Sequence, residues 1–215
     1  MPPVGNDIVD LAAPGNLGKS GDSRFLGRVF TAEERTLIAG AARPDALLWA
    51  LWAAKEAAYK AVSHGDPSVC SIPRKYRVFL EKGNVARTAA CLVGKVFTPR
   101  GELVLRVTLA ADWLHALVAG SEAALDRLCR HVEELDGADD PSVFIRGRLL
   151  REIAHFLGCA ADDLSVVKDP NGPGAPRVLL CGRLHSKELS LSHDGRFAAF
   201  AFDPATLPVP ADCTI

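Results

Sequence analysis

The chain has no excess of either charge. Its 25 Lys and Arg stand against 26 Asp and Glu, a formal net charge of −1 over 215 residues. No global field therefore draws it to nucleic acid, and any anion site must be local. Long hydrophobic runs are also absent: every apolar stretch is broken by charge before it could span a bilayer. The opening MPPVGNDIVD has neither a basic n-region nor an apolar h-region. The expectation is a protein without a signal peptide, located in the cytoplasm. None of the six cysteines forms a CxxC pair or has a histidine at zinc-finger spacing. They read as free thiols rather than a disulfide framework. What is present, 48% hydrophobic and 24% charged residues, is ordinary globular material. The length allows one large domain or two small ones.

Val4 to Leu11 reads as a strand interrupted by Asp7 and Asp10, followed by a polar, Gly-rich loop from Pro14 to Asp22. Thr31 and Glu34 form a capping-box pattern that opens a short helix ending near Gly40. Ala46 to Ser63, free of Gly and Pro, is the strongest helix pattern. Tyr76 to Leu80, Ala86 to Phe97, Glu102 to Ala110 and Leu114 to Ala119 predict an antiparallel sheet. Residues 121–134 read as helix and 136–141 as a turn-rich linker. A second long helix runs from Ser142 to Leu157, with Gly158 as its C-cap. Leu164 to Lys168, Arg177 to Cys181 and Leu189 to Phe202 read as strands, and Pro204 to Ile215 as a surface tail.

Thr108 to Ala119 overlays Ser190 to Ala201 without a gap, placing Asp112 on Asp194. Lys55-Glu56-Ala57 has a weaker echo in Arg151-Glu152-Ile153. The expectation is an α+β fold of two related lobes, a pseudo-dimer, each a small antiparallel sheet with a long helix. The first lobe covers 1–120, a connecting helix and linker 121–141, and the second lobe with its tail 142–215. The second has no strand to match the acidic opening strand of the first. Each lobe would then keep half of one composite site.

A carboxylate inside an apolar strand needs a partner, a hydrogen bond or a metal. Alternation puts Asp7 and Asp10 on opposite faces unless the strand ends near Val9. Glu56 and Lys60, four apart on the strong helix, share a face. They read either as a surface ion pair or as a metal ligand beside a phosphate contact. Ser192-His193 sits at a hairpin turn, where a hydroxyl and an imidazole can meet phosphate oxygens. Adjacent strand residues face apart, so direct Ser–His activation is poor geometry. Ala13 to Ser20 formally matches a relaxed P-loop, but a P-loop needs a helix beginning at Lys19-Ser20, and the sequence there is a poor helix start.

Taken together, three segments in order and spacing resemble the 4'-phosphopantetheinyl transferase superfamily. They are Gly5 to Asp10, Arg24 to Thr31 with Glu33-Glu34, and Trp52 to Ala61. Gly174 to Val178 and Leu189 to Asp194 add to the likeness. The motifs are similar to the short holo-acyl-carrier-protein synthases, while the two-lobe length is similar to the surfactin-type enzymes. The resemblance implies transfer of the phosphopantetheine arm of coenzyme A to a serine of an apo acyl or peptidyl carrier protein, releasing adenosine 3',5'-bisphosphate. It implies Mg²⁺ on Asp7 and Glu56, with Asp10 as a further candidate ligand. Lys60, Ser192, His193 and Arg177 would contact phosphates. Glu56 would act as general base, with Lys55 as the alternative. Arg24, Phe25 and Arg28 would dock the carrier. Ala175 stands where many relatives carry a basic residue. Two internal lobes reduce the need for a subunit-interface site, so a monomer is expected, and the balanced charge and broken apolar runs predict no nucleic-acid partner and no membrane. Two other readings stand beside it: a non-catalytic carrier-binding module of the same fold, and a P-loop nucleotide-binding protein.

Overall fold

The alternating segment at the N-terminus forms β1 (Val4–Asp10), the edge of a five-stranded antiparallel sheet. The computed structural model describes residues 3–66, 68–81, 91–137, 140–168, 175–186 and 188–207. Behind β1 comes α1 (Ser23–Val29), started by the Asp22 side chain, which accepts from the Phe25 amide. This helix falls just beyond the segment expected as a loop, which itself holds two short 3-10 turns at 14–16 and 19–21. The Thr31–Glu34 capping box forms as its pattern predicts and opens α2 (Ala32–Ala39).

The long helix α3 (Pro44–Ser63) begins two residues earlier than expected, because Pro44 serves as a first-turn residue. Its alanines let it lie very close to the sheet. A Cβ on Gly5 would stand 2.0 Å from the Ala57 carbonyl oxygen, so only glycine fits at that crossing. Leu48, Leu51, Ala54 and Ala58 bury against Val96, Leu105, Val107 and Leu114. The sheet is completed by β2 (Arg77–Leu80), β3 (Cys91–Thr98), β4 (Gly101–Leu109) and β5 (Trp113–Ala119), in the order β1-β5-β4-β3-β2. The expected start of β3 at Ala86 lies outside the described residues.

The segment expected to be helix and linker divides differently. Glu122–Arg127 is a short helix, α4, capped by Ser121. Cys129–Glu134 is a strand, β6, pairing with the later β11. Its six residues hold too few helix-forming turns to resist a strand partner, and cross-strand pairing decides. Helix α5 (Pro141–Leu157) starts at the Asp140 cap and stops at Gly158, where φ is +66°. Strands β7 (Leu164–Lys168), β8 (Pro176–Leu180) and β9 (Arg183–Ser186) form a small antiparallel sheet, the last of them not foreseen. Strands β10 (Leu189–Asp194) and β11 (Phe197–Phe202) form a hairpin flanked by β6. The tail from 208 lies outside the described residues.

The second three-stranded sheet thus has the strand that the sequence reading denied it. β6 lies beside the return strand β11 as β1 lies beside β5. The hairpin overlay needs a correction of two residues. Ala110 and Trp113 flank the loop Ala111-Asp112, whereas Asp194 and Phe197 flank Gly195-Arg196. Superposing the loops sets Asp112 on Arg196, not Asp194. A two-residue shift preserves facing, which is why the apolar pattern matched in the wrong register. Among the described residues no helix is long and apolar enough to cross a membrane.

Candidate active site

β1 runs on through Asp10, so alternation holds and its two acids part. Asp7 turns to α3, where its Oδ1 accepts from Lys60 Nζ at 2.8 Å. The same ammonium donates to the Asn6 carbonyl at 3.1 Å and to the Leu191 carbonyl of β10 at 3.4 Å. Lys60 therefore bridges the two sheets. Glu56 lies one turn earlier on the same helix face. Burial pushes the Glu56 carboxyl up, the neighbouring Asp7 charge pushes it further, and Lys60 opposes both. Burial also raises Asp7, against the pull of Lys60, with Asp194 and His193 close enough to be felt. Two carboxylates held this way form a sink for positive charge.

Asp10 does not join them. Its Oδ2 accepts from Arg196 Nε at 2.9 Å and its Oδ1 from Nη2 at 2.9 Å. Backbone amides of Ala12 and Arg196 complete its shell. The guanidinium holds this carboxyl at about 2. A Cβ on Gly195 would collide with Asp10 Oδ2, and Gly195 has φ +51°, so the glycine is needed twice over. Asp10 is a clamp between the sheets, and the expected third ligand is already saturated with donors. Among the described residues no three His, Cys, Asp or Glu side chains converge on one metal position.

Leu191 and His193 form one wall of a cavity of about 310 Å³. Ser142 and Arg146 of α5, and Lys168 and Pro176 of β7 and β8, supply much of the rest. Three basic side chains thus face one cavity beside Lys60. Of the expected phosphate contacts, His193 is there. Ser192 points the other way: its Oγ is buried without a partner among the described residues. Arg177 alternates with the lining Pro176 and is not part of the wall. Lys168 pairs with Pro176, beside Ala175. Arg146 and Lys168 were missed in the sequence. The one available signal was Arg146 four residues after Ser142, one helical turn on.

Lys55 is withdrawn from the site. It is 1% exposed and donates to Glu34 Oε1 at 2.8 Å, to the Pro73 carbonyl at 3.3 Å and to the Tyr76 carbonyl. Phe25 is half-buried against Phe30, Trp49 and Trp52, with ring centroids 5.8–6.0 Å apart. It is mainly a packing residue, which leaves Arg24 and Arg28 exposed on α1. The P-loop reading fails. Asp45 accepts the amides of Gly18 and Ser20 at 2.8 and 2.7 Å, occupying the donors a phosphate would need, and only a three-residue 3-10 turn starts at Lys19.

Comparison with known proteins places the chain in a family. A family model described as the 4'-phosphopantetheinyl transferase superfamily matches residues 3–87, the part holding β1, α1 and α3. The chain is 31% identical over 124 residues to a holo-[acyl-carrier-protein] synthase of Bradyrhizobium diazoefficiens, covering 51% of this chain and 85% of that protein. The chain belongs to the 4'-phosphopantetheinyl transferase superfamily. No solved structure matches it.

Proposed function

We propose that this protein transfers the 4'-phosphopantetheine arm of coenzyme A to a serine of an apo carrier protein. The observation that carries the reading is the Asp7–Lys60–Glu56 group abutting a cavity walled by His193, Arg146 and Lys168. The carboxylates and the basic wall match the opposite needs of a cation and a coenzyme's phosphates. Two carboxylates, with phosphate oxygens and water completing the shell, fit Mg²⁺. Asp7 and Glu56 are the residues that would hold it; when bound, the ion neutralises charge on the transferring phosphoryl group.

In the reaction a bond forms between the carrier serine Oγ and the β-phosphorus. The bond from that phosphorus to the bridging oxygen breaks, and adenosine 3',5'-bisphosphate leaves with the electron pair. Glu56, its proton affinity raised by burial, takes the serine proton, directly or through water. Lys60 holds a phosphate oxygen, and Arg146, Lys168 and His193 hold the nucleotide phosphates. Arg24 and Arg28 meet an acidic carrier surface by charge complementarity. Residues 1–120 act as the cation-binding lobe and 142–215, joined by β6, as the phosphate-binding lobe of a monomeric, cytoplasmic pseudo-dimer.

The test is intact mass spectrometry of apo carrier proteins mixed with this chain, coenzyme A and Mg²⁺. A carrier should gain the mass of one phosphopantetheinyl group, and a chelator or Asp7→Asn or Glu56→Gln should abolish the gain. Transfer at the native rate in both variants would sink the assignment of Asp7 and Glu56. Coenzyme A binding without transfer to any fatty-acid, polyketide or peptide-synthetase carrier would favour the non-catalytic module.

A further inference from the structure

The two halves of the site are held in line by side chains, not by a backbone ladder. β1 and β10 lie edge to edge. The Asn6 amide donates to Ser190 Oγ at 3.0 Å and the Asp10 amide to Asp194 Oδ2 at 2.9 Å. Both contacts span 184 residues, so the strands run parallel in one fixed register. Lys60 closes the same seam through the Asn6 and Leu191 carbonyls. On β10 the residues alternate. Ser190, Ser192 and Asp194 turn toward β1, while Leu191 and His193 turn to the cavity.

This arrangement is ambiguous in its hydroxyls. Ser192 stands one rung beyond Ser190, and its buried Oγ has no partner among the described residues. A slip of two residues would preserve every facing and offer Asn6 an equivalent hydroxyl, yet carry His193 about 7 Å along the strand, from level with Val9 to level with Asp7, and take the cavity with it. Asp194 removes the ambiguity. Its Oδ2 takes both the Asp10 amide and Asn16 Nδ2, each at 2.9 Å, and so anchors β10 to the end of β1 and the turn beyond it. The Arg196–Asp10 pair closes the same end.

We infer that Asp194 is a positioning residue, the end stop that sets the register between the Asp7–Lys60 half and the His193 half of the site. Its role in turnover rests on the transfer reading above; its role in the seam does not. The test compares Asp194→Ala and Asp194→Asn, with amide hydrogen exchange of Asn6 and Asp10 beside transfer kinetics. Asp194→Ala should lower kcat about tenfold or more, as misplacement on this scale does. KM for coenzyme A should stay within about twofold, since the cavity on the second sheet keeps its lining. Protection of the Asp10 amide should fall. Asparagine keeps an acceptor at the same reach and should restore both protection and most of kcat. An Asn variant as slow as the Ala variant would assign the effect to charge and overturn the proposal. Unchanged Asp10 protection in Asp194→Ala would also overturn it. If the wild-type chain transfers nothing, the transfer reading fails while the exchange data still decide the seam.

Discussion

Lys55 and Glu56 are neighbours in sequence with opposite fates. One faces the core and the other the site, as a helical step of 100° requires. Lys55 holds Glu34 and two carbonyls in a buried pocket. Lys55→Ala would strand the Glu34 carboxylate and should cost about 3–5 kcal/mol, measured as a lower denaturation midpoint. Asp10 gives a pH signature. Its folded value lies near 2, below the ordinary 3.8, so its contribution is complete above the unfolded value and drains away as pH falls toward 2. Thermal unfolding should find Asp10→Asn less stable than wild type at pH 6, with the gap closing by about pH 2. The carboxylate in the apolar strand was legible in the sequence; its partner was not. Arg196 lies 186 residues away, and no local pattern connects the two.

At the level of elements, what the sequence disclosed is what local physics controls. The capping box, the Ala-rich α3 and the Gly158 stop are written in adjacent residues. β6 was misread because its strand character comes from β11 alongside it. α1 went unassigned because Asp22 caps a helix too short to declare itself by periodicity. The crossing of β1 over α3 depends on Gly5. Gly5→Ala would drive a methyl into the Ala57 carbonyl. It should cost at least about 1–3 kcal/mol and lower transfer activity by moving Asp7 off Lys60, readable by urea unfolding beside a rate assay.

Across the whole molecule the site is divided by chemistry. The acidic half rides on the first sheet and its helix, the basic half on α5, β7 and β10. Arg146→Ala and Lys168→Ala should therefore raise KM for coenzyme A with a smaller change in kcat, while the carboxylate variants abolish turnover. The sequence reading expects such a division, from the acids in one half and Ser-His in the other. The basic wall was not, because Arg146 and Lys168 are unremarkable surface residues until three elements fold around a common cavity.

The edge-to-edge meeting of β1 and β10 also has a history within each synthesis of the chain. Strand β1 leaves the ribosome well ahead of β10, and its outer edge must await a partner 184 positions later. At typical elongation speeds that is roughly ten to forty seconds. For that interval the strand bearing the acid of the site is an open template for pairing with any other chain. The buried Asn6 and the acids at 7 and 10 make that edge a poor one for such pairing, so the polar groups that later align the site also guard the strand while it waits.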